Sequence, residues 1–416
     1  MIKVTYYYSA CVGLRTPETS ILCDPWFTDG VYDGSWYQYP KLAAPLEAIG
    51  PYDYVYISHI HPDHYDAKFL RQYQARYREA KIIIAPFKVN HLSKKMKVDG
   101  LSHEICDEMK VGATRFKILP NELNPYDVDS ALAVVRGDQS VVNMNDNALN
   151  TEHSRRILDY IGGSPTITLQ GYTGAGPYPQ TYYRDVETLK EKSEAKKREF
   201  FERYKKMRDS FDPKVTIPFA GKYILGGKLV HLNAYRGIAD AVEVKAFDSR
   251  AVVLADGGLA SIDTESLKPT AERAVCYDVA DVEAYARTLL NNPMHYEKYF
   301  SGIPSEALPI RRLLPKAYEN ALKHSVCRED FYYCIKLDWG WFVANARKGS
   351  NEARFTDRVD EVSPRAEIEI DGRYLFGLLT CVFHWNNAEV GSQYMTTRIP
   401  DRYNRDASAF LNFFHV

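Results

Sequence analysis

Short apolar runs alternate with polar, turn-forming stretches through the first half of the chain. "IKVTYYY", "SILCD", "YVYIS", "KIIIA" and "TRFKILP" are rich in β-branched and aromatic residues and predict strands. Between the third and fourth, "DAKFLRQYQARYREA" carries a helical spacing of apolar residues, with Asp66 placed to cap its start. "ALAVV" and "SVVNMND" predict a hairpin turning near Gly137–Asp138, and "TITLQGY" a further strand. The longest helical signal runs from about Arg184 to Ser210. It has neither glycine nor proline, and Leu189, Phe200, Tyr204 and Met207 lie on roughly one side. Its Glu and Lys residues alternate, which marks a solvated face.

"KVTIPFAGKYILGGKLVHLNAYRG" returns to strand and loop, and "RAVVLADGG" predicts one more strand before a turn at Gly257–Gly258. From about Ala271 the character changes. "DVEAYARTLL" and "IRRLLPKAYENALKHS" predict helices, and "DFYYCIKLDW" and "RAEIEID" two more strands. There is no repeat and no low-complexity linker. A boundary near Pro269 divides residues 1–268 from an α+β extension, 269–416.

Composition narrows the class. The 416 residues are 45% hydrophobic, enough for a large core and too many for a disordered chain. The formal net charge of −1 argues against nucleic acid as a partner. No stretch approaches the roughly 18 uncharged apolar residues of a membrane helix. The seven cysteines are scattered and form no CxxC pair, which suits free thiols in a reducing cytoplasm.

The chemistry concentrates in "YISHIHPDHYD", Tyr56 to Asp66. Residues two apart on an extended segment point the same way, so His59 and His61 can converge on one ion. Pro62 turns the chain, and Asp63 and His64 then project toward a second position. Imidazole suits zinc, iron and similar metals, and a carboxylate adds charge. The carboxyl end of a strand is also where open α/β folds place their sites.

"HIHPDH" resembles the HxHxDH signature of the metallo-β-lactamase superfamily. The resemblance implies an αββα sandwich with the metal site at one edge of two sheets. "ILCDPWF" and "VVNMND" fit the same pattern, placing Asp24 close to the site and Asp146 as a metal-bridging carboxylate. One branch fits best, proteins similar to CMP-N-acetylneuraminate hydroxylase. Its marks here are "NMND", "GYTGAGPYPQTY", the long charged helix, "IPFAGKY" and "HWNNAEVGSQYMTTRIPDRY".

The pattern also breaks. The superfamily places a histidine ahead of the bridging aspartate, and "NELNPYDVDSA" has none. Asn124, Asp127 and Asp129 are the oxygen donors there. For the second metal, the nearest histidine after "PFAG" is His231. A histidine near the amino terminus is replaced by Ser9. An oxygen-rich ligand set favours iron or manganese over zinc.

The expected set is therefore His59, His61, Asp63, His64, Asp146 and His231 as ligands to one or two ions. Iron is favoured, with zinc or manganese the alternatives. Asp63 is the candidate catalytic carboxylate, and Asp24 and Asp129 stand behind the ligands. Tyr172, Gly174 and Tyr178 of the glycine-rich loop are candidate contacts to a polar substrate, such as an amino-sugar or amino-acid derivative. Three functions follow: an iron oxygenase, a zinc hydrolase and a non-catalytic binding protein. The chain has no CxH pair to hold a Rieske cluster, so an oxygenase would draw electrons from another protein, an external reductase, or from its own substrate.

Overall fold

The computed structural model describes residues 1–121 and 129–416. The strands of the first half form two sheets. One has seven strands, in the order Ala260–Asp263, Lys3–Tyr8, Cys11–Arg15, Ser20–Cys23, Tyr54–Ile57, Lys81–Ile84, Glu104–Ile105. The other has six, in the order Val215–Phe219, Ile167–Gly171, Gln139–Asn143, Asp129–Arg136, Thr114–Asn121, Glu108–Val111.

The alternation of strand side chains sets the layers. Val4, Tyr56 and Ile83 of the first sheet share one core with Phe116, Leu132, Val141 and Ile217 of the second, so the sheets pack face to face. Their sequence neighbours Val55, Ile57, Ile82 and Ile84 turn the other way. They meet Phe69, Leu70 and Tyr73 of helix Ala67–Arg76 and Leu92 and Met96 of helix His91–Val98. On the far side Ala131, Ala133 and Val142 meet Ile157 of helix Thr151–Ile161 and Met207 and Phe211 of helix Val186–Phe211. Strands buried on both faces must be apolar throughout, which is why these runs hardly alternate in the sequence. The result is the αββα metallo-β-lactamase sandwich implied by the resemblance.

Asp66 caps its helix as expected, accepting from Phe69 N at 2.9 Å. It also accepts from Phe27 N at 3.0 Å and Thr28 N at 2.7 Å, which ties the loop after Cys23 to the histidine loop. "RAVVLADGG" does not become a strand. Thr216 N donates to Arg250 O, and Val252 N donates to Thr216 O. The next bond in that ladder would need an N–H from Pro218, which has none, so the pairing stops. Val215–Phe219 therefore stays the edge of the six-stranded sheet, and Ala260–Asp263 is the edge of the seven-stranded one, paired with Lys3–Tyr8. His153 is buried and donates from Nε2 to Leu119 O at 2.9 Å.

The C-terminal segment forms helices Val279–Thr288 and Ile310–His324 and a five-stranded sheet. The sheet order is Ala353–Thr356, Gly340–Asn345, Tyr332–Leu337, Arg365–Glu369, Met395–Ile399, three strands more than the sequence pattern predicts. Its hydrophobic core includes Leu314, Phe342, Leu375 and Trp385, but also Tyr8, Trp26, Tyr32 and Trp36 from the first forty residues of the chain. Gln393 Nε2 donates to Tyr32 O at 3.0 Å, and Tyr374 OH to Asp33 Oδ2 at 2.6 Å. The tail therefore holds the loop beside the candidate site. Among the described residues no helix is long and apolar enough to cross a membrane.

Candidate metal centre

Strand Tyr54–Ile57 lies between two parallel neighbours, Ser20–Cys23 and Lys81–Ile84, so its carboxyl end is fixed from both sides. The histidine loop leaves from that end. Ser58 N and Oγ donate to the two oxygens of Asp24 at 2.8 and 2.7 Å. The chain then turns over His61, whose carbonyl accepts from His64 N at 3.0 Å and Tyr65 N at 2.7 Å. This turn brings the two ends of the motif back together.

Each imidazole has one nitrogen tied outward and one turned inward. His59 Nδ1 lies 2.9 Å from Ser58 Oγ and 3.3 Å from Asp129 Oδ1. His64 Nδ1 lies 3.0 Å from Asp24 Oδ2. His61 Nε2 lies 2.9 Å from Asn386 Oδ1, across 325 residues of sequence. With N–H groups outward, the inner lone pairs face each other, and His59 Nε2 and His61 Nδ1 stand 2.9 Å apart. His64 Nε2 faces Asp63 Oδ2 at 3.6 Å and Asp146 Oδ2 at 3.4 Å. Such outer partners are what fix tautomer and ring orientation in metal-binding histidines.

His59, His64 and Asp146 each present a ligand atom within 4.8 Å of the others, a spacing one ion can span. The donor set, imidazole with carboxylate, fits a first-row transition metal. His59, His61, His64, Asp63 and Asp146 are the residues that would hold it. Four of these five come from the eleven-residue stretch Tyr56 to Asp66, and Asp146 arrives from the carboxyl end of Gln139–Asn143 in the other sheet.

The electrostatics match. Burial alone would depress the His64 imidazole, but Asp146, Asp63 and Asp24 together hold its pKa well above the usual histidine value. His59 goes the other way, lowered by burial and by its two histidine neighbours. Burial raises Asp24, with His64 opposing. Burial also acts to raise Asp146, yet His64 and His61 pull it below the ordinary carboxylate value. The cluster thus concentrates anionic charge that a bound cation would neutralise. Tyr32, kept neutral by burial and by Asp63, donates to Asp63 Oδ1 at 2.5 Å.

Backbone strain gathers at the same edge. Ser9, Asp24, Asn145 and Ala220 follow strands Lys3–Tyr8, Ser20–Cys23, Gln139–Asn143 and Val215–Phe219. All four have positive φ, at 47°, 43°, 47° and 58°. Such conformations cost on the order of 1–3 kcal/mol and persist where surrounding structure demands them. Here Ala220 N donates to Ser9 O at 3.1 Å, closing the rim across the two sheets.

A cavity of about 480 Å³ opens beside the cluster, with Asp63 and Asp146 in its wall. From the glycine-rich loop it takes Thr173, Gly174 and Ala175. Tyr172 and Tyr178 do not line it. Tyr172 is buried in a separate cluster with Tyr204 and Val244, and Tyr178 offers its carbonyl to Lys196 Nζ at 2.8 Å. His231 does not join the cluster either. Gly227, with φ 55°, converts the segment after Leu225 into 3₁₀ helix Gly227–Tyr235. This leaves His231 exposed, with Nδ1 2.9 Å from Lys228 O. A Cβ on Gly227 would lie 2.5 Å from Asn292 O, so packing enforces the change of path. Asn124 and Asp127 lie outside the described residues. Asn386 stood in the sequence only within "HWNNAEVGSQYMTTRIPDRY", since nothing local in a sequence reports a contact 325 residues away.

Residues 3–148 match the model of the β-lactamase superfamily domain. A Mycobacterium tuberculosis (strain ATCC 25618 / H37Rv) protein, provisionally named a Rieske 2Fe-2S iron-sulfur protein, is 28% identical over 251 residues. These cover 56% of this chain and 46% of that protein. Cytidine monophosphate-N-acetylneuraminic acid hydroxylase of Asterias rubens is 23% identical over 54% of this chain and 35% of its own. The matched region thus spans less than half the length of these curated relatives. Among solved structures, the metallo hydrolase Igni18 of Ignicoccus hospitalis is 17% identical, with TM-score 0.40, covering 63% of this chain and 98% of that one. The diiron β-hydroxylase CmlA of Streptomyces venezuelae is 16% identical, with TM-score 0.38, covering 70% and 50%.

Proposed function

We propose that this protein, whose residues 3–148 match the β-lactamase superfamily domain, is an iron-dependent hydroxylase of a polar small molecule. The observation that carries the reading is the arrangement of the three imidazoles. Every outer nitrogen has a partner, and every inner one faces another ligand atom. The carboxylate share of the set, with Asp63, Asp146 and the nearby Asp129, suits iron better than zinc. The likeness to relatives named hydroxylases supports the reaction class.

Bound iron would supply the redox chemistry that dioxygen requires. The protein's own residues do the rest. Tyr32 holds Oδ1 of Asp63 and so leaves Oδ2 toward the cluster and the cavity, where it can orient a ligand or accept a substrate proton. Asp24 and Asn386 keep His64 and His61 in the tautomers that present lone pairs inward. In balance, one oxygen atom enters a substrate C–H bond and the other leaves as water. Two electrons come from a separate reductase, and two protons from solvent.

The test is elemental analysis of protein purified without added metal, beside His61→Ala. Stoichiometric iron that the variant loses, with dioxygen uptake once a reductant is supplied, is the expected result. Zinc in its place, with turnover that needs no reductant, would replace the hydroxylase with a hydrolase. Neither metal in either protein after reconstitution would leave only a binding role.

A further inference from the structure

The cavity beside the cluster is lined by charges of both signs. Asp63 and Asp146 belong to the metal cluster, and Arg203 and Lys206 come from helix Val186–Phe211. These two cations lie three residues apart and so share one helix face. Among the described residues Lys206 has no ion-pair partner, while Arg203 pairs with Glu199 one turn back, in the open. The Arg203 guanidinium also rests 4.8 Å from the ring of Phe200, which steadies it at the rim. Phe200 fits there because residue 174 is glycine; a Cβ at that position would lie 1.8 Å from its ring. The third lining cation, Lys222, is already engaged by Asp256 at 3.4 Å and by the Tyr277 ring.

The rest of the lining is unusual. Trp36 Nε1, Thr173 Oγ1, Asn145 Oδ1, Asn147 Oδ1 and Gln170 Oε1 belong to lining residues and are buried with no hydrogen-bond partner among the described residues. All five side chains are more than nine-tenths buried. Buried polar atoms are normally paired. Two donors and three acceptors in the lining of one cavity suit a polar occupant.

We propose that this cavity binds an oxyanion-bearing small molecule, with its phosphate or carboxylate between Arg203 and Lys206 and its polar body extending toward Asp63 and Asp146. The assignment rests on the metal-centre reading only for which end of the ligand reacts. A macromolecular polyanion does not fit, because the cations are two and the space is about 480 Å³.

Calorimetric titration of the purified full chain with inorganic phosphate and, separately, with acetate tests this. Metal content is measured on each sample. The wild type is compared with the double variant Arg203→Gln/Lys206→Gln, with His61→Ala, and with Lys205→Gln as a control. Lys205 pairs with Glu202 outside the cavity. The double variant is expected to bind at least about tenfold more weakly, and with a smaller salt dependence, while Lys205→Gln and His61→Ala still bind. The stronger of the two probes identifies the oxyanion. Equal affinity in wild type and double variant overturns the proposal, as does no binding by the wild type at millimolar probe. Binding kept by the double variant and lost in His61→Ala would put the anion on the metal and also overturn it. Metal retained by His61→Ala, with anion binding unchanged, would count against the metal reading alone.

Discussion

Asn386 shows how much one distant side chain can decide. It is the outer partner of His61, at 2.9 Å, and among the described residues no sandwich side chain takes that place. Asn386→Ala is expected to weaken metal retention by about 10–100-fold, the usual cost of losing such a partner. Competition with a graded chelator reads this directly, and thermal melts in excess chelator check that the fold is unchanged. Metal affinity equal to wild type would reduce Asn386 to a packing residue. The histidines themselves were legible because strand alternation and a proline turn are local geometry. Asn386 was not, because its approach depends on how the tail packs.

At the scale of elements, strand ends and glycine-dependent close approaches shape the site. Gly34 has φ 103°, and a Cβ there would lie 2.9 Å from Met294 Cα and 3.0 Å from His295 N. Those are backbone atoms, so nothing flexible can yield. Gly34→Ala is therefore expected to destabilise the protein by roughly 2–4 kcal/mol, combining left-handed strain with overpacking. Chemical denaturation measures it, and a loss below about 0.5 kcal/mol, the scale of a neutral surface change, would contradict the packing described. The strands of the sandwich were readable because apolar runs bounded by turns have few other uses. "RAVVLADGG" misled because its partner strand carries Pro218, and a missing N–H in one strand cannot be seen from the other.

At the scale of the molecule, the sandwich and the tail share a buried seam around Tyr32, Asp33 and Gln393. Burial raises the Asp33 carboxyl from 3.8 to about 6, and the hydrogen bond from Tyr374 offsets only part of this. A raised carboxylate pKa means that the folded state holds its proton more tightly than the unfolded state. Stability from this group is therefore present below about pH 4 and is lost as pH rises toward 6. Asp33→Asn, which cannot ionise, is expected to gain on the order of 1–3 kcal/mol at pH 7 and nothing near pH 4. Thermal melts across that range test it, and parallel curves for the two proteins would contradict it.

The sequence by itself determined most strands of the sandwich and the crowding of His59, His61, Asp63 and His64 into one short stretch. Both follow from local periodicity and spacing, whereas the αββα layering was implied by the resemblance. Only the tertiary structure decided that His231 faces away, since Gly227 and its packing against Asn292 set that path. It also decided that Asp146 meets His64 across two sheets, that Asn386 reaches His61, and that Arg203 and Lys206 share a cavity with the metal cluster. Each is a contact between segments far apart in the chain. Such contacts are chosen by how whole surfaces bury together, and no single stretch of residues carries that information.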